Sequence, residues 1–285
     1  MKKIAFAAMC MLASAMAAGP DARAQEGRLI MGVFPGAEMG QTESYEILDR
    51  YMPFAEYLTA NTGSKVIVLP VAKGAERAMK EMIEGKGVYK LFFGPPVFAA
   101  EAIEKAGFVP VVVEQERIRA VFIVKESAAL RSLGDIKETT RVAMPSSKLL
   151  LAILASETLA QSKLPLKPDG RQHINSIDGM MLALESGIAD AAVIGDRAVK
   201  KLMAEKPFPY RAIGQSVDAP GFALIAHRSV SDDRRAKLRQ AAVALNKDPS
   251  PLATETRARL RTGAFAAARD DEFQALQGMM ARWAH

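Results

Sequence analysis

The 285-residue chain is poor in reactive side chains: it holds one cysteine and three histidines. The cysteine, Cys10, lies in an apolar stretch near the N-terminus, so no thiol follows it. Beyond that stretch the chain therefore has no disulfides, no thiolate nucleophile and no cysteine–metal site, and its stability must come from core packing. His173, His227 and His285 show no spacing that would gather a metal ion, and neither metal nor cofactor is expected. Dense Lys/Arg tracts with interleaved aromatics are missing too. The net charge is +6, of which Lys2, Lys3 and Arg23 against Asp21 contribute +2 within the first 24 residues, leaving +4 for the rest. So small and dispersed an excess argues against a nucleic-acid partner and leaves room for a modest pull on anions. After the N-terminal stretch no run is long and uncharged enough to cross a membrane.

Catalytic patterns are equally scarce. There is no Gly-x-Ser-x-Gly elbow, and no Ser-x-x-Lys surrounds Ser146 or Ser147. The acidic pairs Asp232-Asp233 and Asp270-Asp271 stand at expected helix starts, where capping and the helix dipole explain them. Methionine pairs such as Met180-Met181 recur at helical spacing beside apolar residues and read as core filling. No enzyme is expected.

What is present begins with an export signal. Lys2 and Lys3 precede an apolar run from Ile4 to Ala18, and Ala22-Arg23-Ala24 is a small-residue cleavage pattern. Cleavage after Ala24 and a periplasmic location follow as expectations.

From residue 28 the pattern alternates. Strands are expected at Arg28–Pro35, Lys65–Pro70, Leu91–Phe93 and Phe108–Val113, with helices at Glu43–Thr62, Glu76–Glu84 and Val97–Glu104 between them. The loop Gly36–Thr42 lacks the lysine and the spacing of a phosphate loop. Arg119–Lys125 is a β run with no helix before it, fit to leave the first sheet for a second. The alternation then restarts: strand Thr140–Met144, turn Pro145–Lys148, helix Leu149–Ala160, strand Gln172–Asn175, helix Ser176–Gly187, strand Ala189–Ile194, helix Ala198–Ala204 and strand Tyr210–Gly214. Phe222–His227, another β run without a helix, carries the chain back, and a helical tail follows that is expected on the first lobe.

This order predicts an α/β protein of two lobes, each a mostly parallel sheet flanked by helices, joined by two hinge strands. The lobes comprise residues 25–118 with 222–285, and 119–221. Such a clamp points strand ends and helix N-termini into the cleft between its halves, where small ligands bind. The Leu91–Phe98 segment, whose strand stops at Gly94 and re-enters a helix through Pro95-Pro96, is the turn most suited to that task.

The stretches LIMGVFP, YMPFAEYLTANTGSKVIVLPV, LFFGPPVFAAEAI, FIVKESAALRSLGDIKETTRVAM and MLALESGIADAAVIGD occur in that order. Together they resemble the periplasmic substrate-binding proteins of phosphate/phosphite/phosphonate ABC transporters, which have the type II periplasmic-binding-protein fold. The resemblance covers most of residues 28–230. It implies a small anionic or zwitterionic ligand in the cleft, an inner-membrane ABC permease as partner, and a monomer. It also implies a set of ligand contacts: Pro95 and Phe98 at the Gly-Pro turn, Ser146, Ser147 and Lys148 at the start of a helix in the second lobe, Ser176 at the next helix, and Asp196. Here Phe98 keeps the ring of the family's usual tyrosine without its hydroxyl, Lys148 replaces a hydroxyl, and Ile177 stands where the family has a histidine. Lys148 reads equally as a point charge for an anion or a solvated first-turn residue, and Asp196 as a ligand contact or a helix cap. A periplasmic sensor that presents its closed form to a membrane kinase is the alternative to transport.

Overall fold

The computed structural model describes residues 28–36, 43–71, 75–164, 167–205, 209–260 and 264–284. The expected signal segment with its cleavage site, and the loop after Gly36 up to residue 42, lie outside the described residues. Two sheets organise the chain. The first contains β1 (Arg28–Val33), β2 (Lys65–Pro70), β3 (Leu91–Gly94), β4 (Phe108–Glu114), β10 (Ala223–His227) and β11 (Phe265–Ala267), in the order β11-β4-β10-β3-β1-β2. The second contains β5 (Ala120–Lys125), β6 (Val142–Met144), β7 (Arg171–His173), β8 (Ala191–Gly195) and β9 (Tyr210–Gln215), in the order β7-β6-β8-β5-β9. The helices are α1 (Ser44–Thr62), α2 (Ala75–Ile83), α3 (Pro96–Lys105), α4 (Leu150–Gln161), α5 (Ile177–Glu185), α6 (Asp196–Glu205), α7 (Asp232–Ala244), α8 (Pro251–Leu260) and α9 (Asp270–Trp283). None of these helices is long and apolar enough to cross a membrane.

The strand directions follow from the connections. A strand that leaves through a helix must return parallel, and β1 to β4 accordingly run one way. The two β runs without a preceding helix cross between sheets and enter antiparallel. β10 inserts between β3 and β4, and β5 lies between β8 and β9. Both crossing strands are therefore interior. Their sequences, ALIAH and AVFIVK, are apolar on both faces, as interior strands require.

Local signals place the helix ends. Glu43 and Glu46 form a reciprocal capping box at the start of α1, and Gly63 ends that helix in the left-handed region at φ +69°. Gly32 on β1 is required by close packing: a Cβ there would sit 2.6 Å from the Phe92 ring and 2.7 Å from the Tyr89 ring.

The two crossings run side by side. Ile118 and Ala219 pair as an antiparallel bridge through N–H···O contacts of 3.1 and 2.9 Å. The Glu114 N–H donates to the Phe222 carbonyl at 2.8 Å, and Arg119 pairs with Asp218, whose carboxyl the guanidinium holds below the usual range. This short ribbon is the covalent link between the halves.

A second link comes from the tail. α7 and α8 pack on α1 of the first half, as the pattern predicts. α9 does more: it packs on α3 of the first half and also on α4 of the second. Phe273 and Leu276 of α9 share one buried apolar cluster with Phe98 and Ala99 of α3 and with Leu154 and Leu159 of α4. The polar reason is Glu157 on α4, a side chain only 10% exposed. Its carboxylate accepts from Arg282 Nε (3.1 Å) and Nη2 (3.0 Å), from Trp283 Nε1 (2.6 Å) and from Gln161 Nε2 (2.9 Å). A buried carboxylate needs such donors, and on α9 the last turn supplies them.

Candidate functional site

A cavity of about 1150 Å³ runs along the boundary between the two halves. Its first wall is the β1 end and the Gly-Pro turn: Phe34, Pro35 and Gly36, then Pro95 to Phe98. Its second wall comes from the other half, with Lys148, Leu149, Leu150 and Arg197. Ile118 of the crossing ribbon and Glu114 at the end of β4 close the back, and Arg50, Tyr51 and Phe222 complete the inner end.

The Gly-Pro turn is built as its sequence predicts. Pro95 is the N-cap of α3 with φ −60° and ψ 150°, and Pro96 is the first helical residue. Proline at that position has no N–H to lose, and its fixed φ suits the helix. The Ala99 N–H donates to the Pro95 carbonyl at 3.0 Å. The N–H groups of Val97 and Phe98 then have no intrahelical acceptor, and both residues face the cavity wall. The Phe98 ring stacks on Phe92 with centroids 4.3 Å apart and packs against Phe34 at 6.0 Å. Such pairs add roughly 0.5–1.5 kcal/mol beyond their area and hold the wall rigid.

The second wall follows the sequence closely: the helix expected from Leu149 starts at Leu150 with Leu149 as its N-cap, and residues 146–149 form the turn before it. The Leu149 N–H donates to the Ser146 carbonyl at 2.9 Å, and the Ser146 N–H donates to Asn175 Oδ1 at 2.8 Å. That second bond ties the turn to the segment after β7. Lys148 and Leu149 consequently reach the cavity, while Ser146 and Ser147 lie beside it. The exposed Lys148 ammonium has no hydrogen bond or ion pair among the described residues.

Ser176 is the N-cap of α5, and its hydroxyl accepts from the Gly179 N–H at 3.1 Å. Asp196 opens α6. Its Oδ1 accepts from the Arg119 N–H at 3.4 Å, and Oδ2 lies 3.5 Å from Lys200 Nζ. Neither Ser176 nor Asp196 borders the cavity; each side chain is engaged in local structure. Of the residues singled out in the sequence, the structure gathers Pro95, Phe98 and Lys148 around one space.

It adds others. Arg197, directly after Asp196, reaches across to the first half, with Nη2 3.2 Å from Glu114 Oε2 and 3.0 Å from Glu116 Oε2. Its Nε is buried without a partner among the described residues. Arg50 lies over the Tyr51 ring at 5.3 Å and donates from Nη2 to the Leu260 carbonyl at 2.8 Å. Burial pushes the Tyr51 hydroxyl up to about 12; Arg50 opposes this and Glu114 adds to it. The phenol therefore stays neutral in a poorly hydrated inner end. Of the cations lining the cavity near the ribbon, Arg197 is shared between Glu114 and Glu116, Arg50 is held by the Leu260 carbonyl, and the exposed Lys148 leaves a surplus positive charge that favours an anion. Arg197 could have been found from its place in the first turn of a helix beside the crossing. Arg50 carried no signal, being one step off the apolar face that holds Ile47, Tyr51 and Phe54.

The family model for the periplasmic substrate-binding protein of phosphonate ABC transporters matches residues 38–273. Among solved structures, XAC2383 from Xanthomonas citri bound to chloride superposes with a TM-score of 0.71 at 12% identity, covering 90% of this chain and 98% of that one. PhnD1 from Prochlorococcus marinus in complex with methylphosphonate gives 0.67 at 12% identity, with the same coverage of 90% and 98%. A binding-protein component of an ABC phosphonate transporter from Pseudomonas aeruginosa gives 0.61 at 17% identity, covering 88% and 85%. At these identities the likeness speaks for the fold. No curated protein sequence matches the chain.

Proposed function

We propose that this chain, which belongs to the periplasmic substrate-binding proteins of phosphonate ABC transporters, takes a small anion between its lobes and delivers it to an inner-membrane ABC permease. The lobes are residues 25–118 with 222–285, and 119–221. The observation that carries the reading is the cavity between them, lined by Arg50, Arg197 and Lys148, with Arg197 paired to Glu114 and Glu116. Open N–H groups at the start of α3 add oriented donors to the same space. Pro95 and Phe98 form one jaw and Lys148 the other. Ser146 and Ser147, beside Lys148, add hydroxyls as the jaws close. Ser176 and Asp196 brace the second jaw through the caps described above.

An anion that touches both jaws stabilises the closed arrangement by its extra contacts there, and only that difference can drive closure. The crossing ribbon is the hinge, since Ile118 and Ala219 link the two sheets while they pair with each other. A phosphonate is the first ligand to test, because PhnD1 was solved with methylphosphonate.

The test is thermal unfolding against phosphate, phosphite, methylphosphonate, 2-aminoethylphosphonate, sulfonates, carboxylates and amino acids. A ligand at about 100 times its Kd adds roughly 2.7 kcal/mol to the folded state. The expected result is a rise in Tm with phosphorus oxyanions or other compact anions. A rise only with neutral or cationic compounds would overturn the assignment of an anion site.

A further inference from the structure

The cavity does not end at the cleft. It continues outward between α2, α3 and α9, over Met79, Ile83, Val97, Met280 and Ala281. This outer part is a groove with an apolar floor. Ile83 is 42% exposed there, a large aliphatic side chain left facing the open space. Along its rim Lys80 pairs with Glu84 at 3.9 Å and Lys105 with Glu101 at 3.2 Å, while Glu76 and Glu104 add two carboxylates, so the rim has no surplus cation for an anionic head. Near the ribbon the balance is the reverse: Arg50, Arg197 and Lys148 outnumber Glu114 and Glu116, and Lys148 has no partner among the described residues. A compact tetrahedral anion beside Lys148 and Arg197 would leave the apolar side chains of the outer part uncovered.

We infer that the ligand is an anion with an apolar tail, its head held by Lys148 and Arg197 and its tail lying in the groove between α2, α3 and α9. The inference rests on the capture reading and deepens it. Continuity of the two spaces and their contrast in charge carry it. The groove walls are anchored: Gln277 of α9 donates from Nε2 to the Ala100 carbonyl of α3 at 2.9 Å, and Arg282 and Trp283 tie the end of α9 to Glu157. An apolar tail would therefore enter a preformed trough.

The experiment is calorimetric titration of the purified protein with methyl-, propyl- and hexylphosphonate, with hexanol as the uncharged control. Each methylene buried should tighten binding roughly fourfold. From methyl to hexyl, five methylenes, the expected gain is on the order of a thousandfold if all are buried, with no measurable binding of hexanol. Two variants locate the parts. Ala281→Trp fills the groove from an exposed position on α9; it should erase the hexyl advantage and leave methylphosphonate binding unchanged. Lys148→Ala should weaken all three phosphonates by a similar factor. The inference is overturned if methylphosphonate binds as tightly as hexylphosphonate, if hexanol matches hexylphosphonate, or if Ala281→Trp leaves the chain-length gain intact. The first of these leaves the capture of a small anion standing. Binding of no phosphonate at all, with no shift from other anions, defeats both.

Discussion

Replacing Glu157 by glutamine tests whether the last helix fastens the two lobes together. The substitution keeps the shape and removes the charge. In the native protein the carboxylate collects four hydrogen bonds, two from Arg282 and one each from Trp283 and Gln161. Hydrogen bonds to a charged group are worth about 1.5–3 kcal/mol each before screening, against about 0.5–1.5 for neutral ones. Arg282 is 53% exposed, so water already weakens its share. The net loss should be about 1.5–3 kcal/mol, or roughly 3–9 °C in Tm for a chain of this size.

The acid dependence has a definite sign. Burial pushes the Glu157 carboxyl up, but the bonds from Trp283, Arg282 and Gln161 outweigh it and hold the carboxyl below its usual range. Its folded pKa is thus lower than its unfolded one. The stabilisation is complete above the ordinary glutamate value and fades as pH falls through the folded value. Glu157→Gln should therefore cost most at neutral pH and progressively less in acid. Trp283 is the only tryptophan in the chain, so its fluorescence follows this contact directly. The variant should unfold earlier at pH 7 and emit at longer wavelength while folded. A Tm within about 1 °C of the native protein, with unchanged emission, would refute the argument that α9 is fastened to α4 through Glu157.

Two further outcomes follow from the cleft and its hinge. Arg197→Ala should cost about 1–3 kcal/mol of stability, because Glu114 is almost fully buried and loses its cross-lobe cation; that figure is discounted for the half-open guanidinium, and denaturant unfolding reads it. The same variant should weaken anion binding, and unchanged affinity would remove Arg197 from the site. Gly221→Ala would put a Cβ 2.7 Å from Glu114 Cβ and 2.7 Å from the Glu116 carbonyl oxygen, so the two crossings must move apart. It should lower Tm and weaken ligand binding together; a variant normal in both would show that the hinge tolerates separation.

Much of the fold could be read from the residues because its signals are local. The limits of α1 and β2 follow from the Glu43–Glu46 cap, Gly63 and the apolar period, which need only neighbours along the chain. The Pro95-Pro96 entry to α3 is of the same kind. What escaped depends on partners far away in sequence. The turn before α4 is held by Asn175, a residue beyond the next strand whose side chain takes the Ser146 N–H. The interior place of β10 is a property of pairing, not of the ALIAH segment alone. β11 is three residues long and exists only because β4 offers it an edge. In the candidate site, the Pro95-Pro96 turn was legible from its residues, and Phe98 and Lys148 came from the family resemblance, whereas Arg50 carried no signal, since a cation beside an apolar helix face looks like any solvated residue.

The insertion of β10 between β3 and β4 also constrains the order in which the chain can assemble. The central pairing of the first sheet needs residues 223–227, which are made only after the whole second sheet. The N-terminal half can form β1, β2, β3 and their helices early, but it keeps two open edges where β10 belongs. Closing them spans more than a hundred residues from β4, a costly loop for a nascent chain. The second sheet, built from one unbroken segment, has a shorter wait: β5 must hold until β8 and β9 follow it within the same segment. The first sheet is complete only when the chain returns to it from the second.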